Sequence, residues 1–356
     1  MIKPRNNNLN IEKELTNYND MRVIVFESDN TLFFFVLKDN RIKHYYAHNL
    51  NSVNTGDIYT GIVKKVNKAT QSYFISISEK ETAFLPGEEI TEKVVLCDEK
   101  EYKGKLCEGM QLLVEIKKMP YKEKRATCTA KLSQKHNSET IEGFRHNIKY
   151  TRVYEGDSFY KWLLNKYINF TTICSNQKAY EYCRKVLAES NYSDISNPDV
   201  IRLYDDLSIS LVSLYGLKGK FENITLEKVW LKNGGSIVIN QTEAMHVIDV
   251  NSGKSDGHAD KERSILETNL DAVKEICSQI EARNLSGIII IDFINLKDKN
   301  SKTILIEQLS DELDKLDPPG KLVDITKLGL AEITRAKKRP DIYELQRCNN
   351  INILRF

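Results

Sequence analysis

The sequence predicts a mixed α+β (α/β) chain carrying a small β-barrel of the OB type, on three observations. Between residues 51 and 134, short alternating strands follow one another with no long helix. A strand, helix, strand order runs from Ser236 to Asp292. The segments on either side of the barrel mix strand-like apolar runs with helical apolar spacing.

Taken in order, residues 1–20 hold Asn6-Asn7-Asn8 and few apolar anchors, and predict a flexible N-terminal extension. Arg22 to Phe26 and Thr31 to Leu37 are apolar, β-branched or aromatic runs, and Ser28-Asp29-Asn30 between them predicts a hairpin turn. The barrel strands are expected at Ile58–Val66, Ser72–Ile77, Ala83–Leu85, Leu112–Ile116 and Ala126–Leu132, punctuated by Pro86-Gly87 and Glu108-Gly109. From Asn176 to Ser190, Ala179, Tyr182, Cys183, Val186 and Leu187 recur at helical spacing. After the tight turn at Asn233-Gly234-Gly235, strands are expected at Ser236–Asn240 and Ala244–Val250. Lys261–Asn284 predicts an amphipathic helix with Ile265, Leu266, Leu270, Val273, Ile276, Cys277 and Ile280 on one face, stopped at Gly287. Ile288 to Ile291 then predicts a buried strand.

The chain has 356 residues, 41% hydrophobic and 29% charged, as in soluble globular proteins with two or three cores. No run approaches the roughly 18–20 apolar residues of a membrane helix, and no signal peptide opens the chain, so a cytoplasmic location and no membrane segment are expected. The seven cysteines are scattered, without a Cys-x-x-Cys pair; they read as reduced packing thiols, and structural zinc is not expected. A net charge of +2 gives no strong overall field for nucleic acid, which leaves local patches. Lys117, Lys118, Lys122, Lys124, Arg125 and Lys131 form one, with Glu123 its single acid, and Arg335, Lys337, Lys338 and Arg339 a second. Each reads equally well as a solvated face.

Asp249 closes Met245-His246-Val247-Ile248, and Asp292 closes the isoleucine run. A carboxylate at the end of a buried strand is costly without a partner. Two adjacent strands would bring both to one sheet edge, where hard oxygen ligands suit Mg²⁺, with Mn²⁺ the alternative, better than zinc. Spacing alone favours the plainer reading, two solvated aspartates at strand ends that cap loops and do nothing else.

Further strings surround the pair: Gly234-Gly235-Ser236-Ile237-Val238-Ile239, Thr242-Glu243-Ala244, Ile248-Asp249-Val250-Asn251-Ser252-Gly253-Lys254, Thr268-Asn269-Leu270-Asp271-Ala272, Arg283-Asn284-Leu285, Gly287 through Ile294, and Gly329-Leu330-Ala331-Glu332-Ile333-Thr334-Arg335. In this order they resemble the catalytic region of the ribonuclease E/G family. Gly56-Asp57-Ile58-Tyr59-Thr60-Gly61 and Ala83-Phe84-Leu85-Pro86 resemble its inserted barrel.

The resemblance implies a Mg²⁺-dependent endoribonuclease that cleaves single-stranded RNA with a metal-activated water, leaving 5′-phosphate and 3′-hydroxyl ends. Asp249 and Asp292 would be the metal ligands and Asn251 a catalytic hydrogen-bond donor. Phe74 and Phe84 match aromatic positions set against an RNA base, with Lys124 beside them; the alternative is that both rings fill the barrel interior. Lys118, Arg335, Lys337 and Lys338 would contact phosphates. The implied layout is an RNase-H-like subdomain at 21–50 and 135–232 split by the OB barrel at 51–134, a DNase-I-like catalytic subdomain at 233–345, and a tail at 346–356.

The sequence departs from the family pattern at four points. No Gly-rich stretch with the Arg-Thr pair of a 5′-end sensor lies between Cys128 and Ile201. Cys348 lacks the second cysteine of a zinc link, so any homo-oligomer is expected not to be zinc-linked. Asn295 stands where a second acid is usual, and Pro318-Pro319 where a base is. The competing readings are a non-catalytic RNA-binding relative and a DNA phosphodiesterase. Trp162 and Trp230 read as core or interface, His246 as an ordinary strand histidine, and His258 as having no role that the resemblance supports.

Overall fold

The computed structural model describes residues 21–348 except 52, 92–93, 97–104, 121–124, 133–142, 144–149, 157, 168–169, 191–199, 207 and 254–260. The N-terminal extension, Lys122, Lys124, His258 and the end of the tail lie outside the described residues.

The described part of the chain starts with three antiparallel strands, β1 (Arg22–Ser28), β2 (Thr31–Lys38) and β3 (Arg41–Asn49). Asp29 and Asn30 take φ of 50° and 61°, and Asp39 and Asn40 take 50° and 59°. Such left-handed pairs match the right-handed twist of strands joined by a two-residue loop, and Asn and Asp tolerate them best after glycine. The barrel follows, with β4 (Ile58–Asn67), β5 (Ser72–Ser76), β6 (Thr82–Pro86), β7 (Gln111–Lys118) and β8 (Thr127–Thr129). Its order is β5-β6-β8-β7-β4, and pairing of β4 with β5 closes it. β9 (Arg152–Tyr154) adds to the outside of β4.

The chain then returns to the first sheet through α1 (Phe159–Lys166), β10 (Thr171–Cys174), α2 (Gln177–Ala188) and β11 (Ile201–Leu203), giving the order β11-β10-β1-β2-β3 with β10 parallel to β1. Ser158 and Asn176 cap α1 and α2 by accepting from the amides of Lys161 and Ala179. Two short helices, α3 (Leu211–Leu214) and α4 (Leu217–Thr225), lead to a second sheet.

That sheet contains β12 (Lys228–Trp230), β13 (Ser236–Gln241), β14 (Met245–Asn251), β15 (Gly287–Asp292), β16 (Gly320–Ile325) and β17 (Leu330–Arg335), in the order β12-β13-β14-β15-β17-β16. Helix α5 (Lys261–Arg283) connects β14 to the parallel β15, α6 (Lys299–Asp314) follows β15, and α7 (Ile342–Cys348) ends the described chain. Asn284, not Gly287, ends α5: it takes φ 52°, and its side-chain Nδ2 donates to the carbonyls of Arg339 and Pro340 at 3.0 Å each.

One face of this sheet is packed against α5 and α6 through Ile237, Ile239, Ile248, Ile289, Ile291, Ala331 and Ile333. The alternating residues of the other face are not buried. Expectation and structure differ here. The isoleucine run is covered on one side only, and Ile288 is 49% exposed, because helices lie against a single face of the sheet. Trp230 likewise lies outside the core, 67% exposed, with Lys228 Nζ 4.1 Å above its ring.

The two sheets meet through α5. Arg41 pairs with Glu275 at 2.5 Å, and Lys43 with Glu281 at 2.6 Å. Trp162 Nε1 donates to Asp317 Oδ2 at 3.0 Å, with the Arg339 guanidinium 3.7 Å over its ring. Among the described residues no helix is long and apolar enough to cross a membrane.

Candidate active site and nucleic-acid surface

Asp249 and Asp292 are direct partners in the parallel register of β14 and β15. Residues paired in this way project to the same face about 4.8 Å apart along the hydrogen-bonding direction. Both are exposed, on the helix-free face, because each alternates with a core residue: Ile248 and Val250 flank Asp249, and Ile291 precedes Asp292. Asn251, two residues along β14, lies on that face too, and its Nδ2 donates to Asp249 Oδ2 at 2.7 Å. Among the described residues neither carboxylate is in an ion pair, and no group of three or more His, Cys, Asp or Glu side chains forms a metal-binding cluster. The donor set is therefore two carboxylates and an amide, with Asn295 also exposed nearby in sequence. Hard oxygen atoms open to water fit a cation that keeps part of its hydration shell.

Much of the remaining motif is scaffolding for these three residues. Asn269, fully buried in α5, accepts from the Ile294 amide at 3.1 Å and donates to the Ile294 carbonyl at 2.8 Å, clamping the backbone two residues beyond Asp292. Glu262 accepts from the amides of Lys297 and Asp298 and so ties the same loop to the start of α5. On the other strand, Asn233 accepts from the Gly235 amide and donates to Thr268. Gly253 presses against that turn: a Cβ on it would lie 2.6 Å from the Gly234 carbonyl oxygen. Only glycine permits so close an approach just after Asn251.

The barrel presents a second assembly. Tyr73, Ile75, Ala83 and Leu85 fill its interior, so the intervening Phe74 and Phe84 point outward, half-buried, and do not fill the core. They pair across β5 and β6, with ring centroids 5.8 Å apart and planes at 61°. The pairing continues in both directions. Lys65 faces Phe74, Phe84 faces Thr127, and Thr127 faces Lys118, so that two phenylalanines lie between two exposed lysines. By simple alternation Lys65 would follow the buried Val63 inward, and Lys118 would follow the buried Ile116. Register shifts at Val63/Lys65 and Ile116/Lys118 turn both lysines outward instead. Arg125 is exposed with its guanidinium carbon 5.1 Å over the Phe74 ring. Lys65 and the placement of Arg125 were not foreseen from the sequence; the bulges that aim Lys65 have no local sequence signal.

The C-terminal basic stretch divides. Arg335 is 2% exposed and is not a phosphate ligand: its Nε donates to the Pro318 carbonyl at 2.9 Å, Nη1 to the Leu285 carbonyl at 2.7 Å and Nη2 to the Asp317 carbonyl at 2.7 Å. It serves to satisfy buried loop carbonyls. Lys337 and Lys338 are exposed and pair with Glu344 and Asp317 respectively. In the antiparallel register of β15 and β17, Asp292 faces Leu330 and Gly287 faces Arg335. The lysines thus follow the strand end remote from the carboxylates, by about 17 Å of strand.

Comparison with known proteins bears on the whole arrangement. The Ribonuclease E/G family profile matches residues 118–338. A chloroplastic ribonuclease E/G-like protein of Arabidopsis thaliana is 38% identical over 140 residues, covering 38% of this chain and 14% of the relative. Ribonuclease G of Haemophilus influenzae is 37% identical over 132 residues, 37% of this chain and 27% of the relative. Ribonuclease E of Synechocystis sp. is 36% identical over 140 residues, 39% of this chain and 20% of the relative. The match to each of these covers less than a third of the relative's own length. With the family profile extending over more than half of its residues, this chain belongs to the ribonuclease E/G family.

Proposed function

We propose that the chain is an endoribonuclease that binds single-stranded RNA across the barrel row and cleaves it at Asp249 and Asp292 with Mg²⁺, leaving 5′-phosphate and 3′-hydroxyl ends. The observation that carries this reading is the register pairing of the two aspartates on an open sheet face, with Asn251 bonded to one of them. Asp249 and Asp292 would hold the cation, which when bound supplies charge neutralisation at the phosphate and a more acidic water. Asn251 holds the rotamer of Asp249 by donating to its Oδ2. Asn269 and Glu262 hold the loop that follows Asp292, so the second carboxylate keeps its position while RNA approaches.

On the barrel, Phe74 and Phe84 supply sequence-tolerant stacking surfaces, and Lys65 and Lys118 at the ends of the row meet backbone phosphates. In this reading the first sheet is an RNase-H-like support and the second the catalytic DNase-I-like subdomain. Purified full chain is expected to cut a labelled unstructured RNA with Mg²⁺ and to stop in EDTA, and Asp249→Asn or Asp292→Asn is expected to lower turnover by at least a hundredfold while RNA binding persists. Undiminished cutting by either variant would sink the assignment. RNA binding without cleavage by the unaltered chain would make it a non-catalytic RNA-binding relative.

A further inference from the structure

Phe74 does not present a free ring to solvent. Phe84 meets it edge-on at 5.8 Å, and Arg125 lies over it with the guanidinium carbon 5.1 Å from the ring centroid. Arg125 enters the row at a fixed height, since the next residue, Ala126, is buried and accepts from the Phe84 amide at 2.7 Å. The backbone that carries the guanidinium is therefore bonded to the strand that carries the second phenylalanine. A guanidinium is a plane with two faces. Here the guanidinium carbon lies over the Phe74 ring and the side chain is exposed, so part of that plane is open to water.

We propose that Arg125 is the outer layer of the base-stacking platform: an RNA base lies on the exposed face of its guanidinium, which stays seated on Phe74. The inference rests on the reading of the barrel row as an RNA surface, and adds a residue that selects for a stacked base rather than for negative charge alone. A base that displaced Arg125 from Phe74 would lose the cation–π contact to gain a ring contact, whereas a base laid on the guanidinium keeps the first and adds a stacking surface. The guanidinium N–H groups point outward within its own plane, so they remain open to a neighbouring phosphate while both faces are covered. A lysine at the same position would bring the same charge without a plane to stack on.

Binding of a labelled unstructured oligoribonucleotide of about ten residues to the full chain in EDTA tests the proposal, with site length in the range for such barrels. Arg125→Lys is expected to weaken binding roughly 5- to 150-fold, the range for losing one stacked base, while the slope of log affinity against log salt stays that of the unaltered chain. On an abasic ribose-phosphate oligomer of the same length, Arg125→Lys is expected to bind as the unaltered chain does. Arg125 is exposed, and unchanged thermal unfolding of the variant is expected to accompany these results. Equal affinity of Arg125→Lys and the unaltered chain for the base-bearing RNA overturns the proposal, as does an equal loss on the abasic oligomer. Phe74→Ala and Phe84→Ala separate the two levels. If they weaken binding and Arg125→Lys does not, the Arg125 inference alone fails. If neither weakens it, the RNA reading of the barrel row fails as well.

Discussion

Arg335 and Lys337 stand two positions apart with the same formal charge, and burial gives them opposite work. The Arg335 fork satisfies carbonyls of Pro318, Asp317 and Leu285 that would otherwise be buried without donors, while Lys337 reaches Glu344 at the surface. Leaving a buried acceptor unmet costs roughly 1–3 kcal/mol, and the three acceptors here share a single donor group. Arg335→Lys keeps the charge but loses the planar fork. It is expected to lower the free energy of unfolding by roughly 2–4 kcal/mol, read in a urea titration, and to leave the salt dependence of RNA binding unaltered. A reduced salt slope with unchanged stability would restore Arg335 as a phosphate contact.

Between elements, the site depends on one helix holding the ends of two strands. Asn269 in α5 grips the backbone after β15, and Thr268 beside it receives Asn233 from the turn before β13. The adjacent pair Thr268-Asn269 thus couples both flanks of the second sheet to a single helical turn. Asn269→Ala removes two hydrogen bonds within a closed interior and is expected to cost about 1–3 kcal/mol of stability. It should also reduce RNA cleavage well below that of the unaltered chain at a temperature where the variant remains folded, because the loop that follows Asp292 loses its anchor. Circular dichroism melting together with cleavage kinetics checks both parts, and full turnover in a destabilised variant would confine Asn269 to stability.

At the level of the whole molecule, three buried histidines among the described residues make acid stability a readout of packing. Burial pushes His48 down to about 4, with Arg152 adding to the effect and Glu155 opposing it. Burial also holds His44 well below its ordinary range, reinforced by Lys43, Lys166, Arg339 and Arg335 at the junction of the two sheets, and lowers His246. A histidine whose folded pKa lies below the unfolded value, near 6.5, binds its proton more tightly when unfolded. Its contribution is therefore fully present above about pH 6.5 and is lost as pH falls toward the folded value. The unfolding free energy is expected to fall between about pH 6.5 and pH 4, with His48 alone contributing on the order of 3 kcal/mol. His48→Gln is expected to flatten that part of the curve, and an unchanged slope in the variant would contradict the assignment.

Local sequence was enough to find the strands of the barrel, the hairpin at Asp29-Asn30, the helical run that follows Asn176 and the adjacent strand pair that carries Asp249 and Asp292, because backbone periodicity and turn chemistry are written in neighbouring residues. The motif strings also marked Gly253, Thr268 and Asn269, although their mechanical reasons appear only when the loops are in place. Tertiary structure alone decided which side of the isoleucine strand is open. Ile288 to Ile291 are chemically identical, so nothing within the run distinguishes the covered face from the exposed one. It also buried Arg335, turned Phe74 and Phe84 outward and set Lys65 and Lys118 in one row. The physical reason is common to these cases: sequence neighbours set how a segment is wound, whereas exposure and bulges depend on which distant element lies against it.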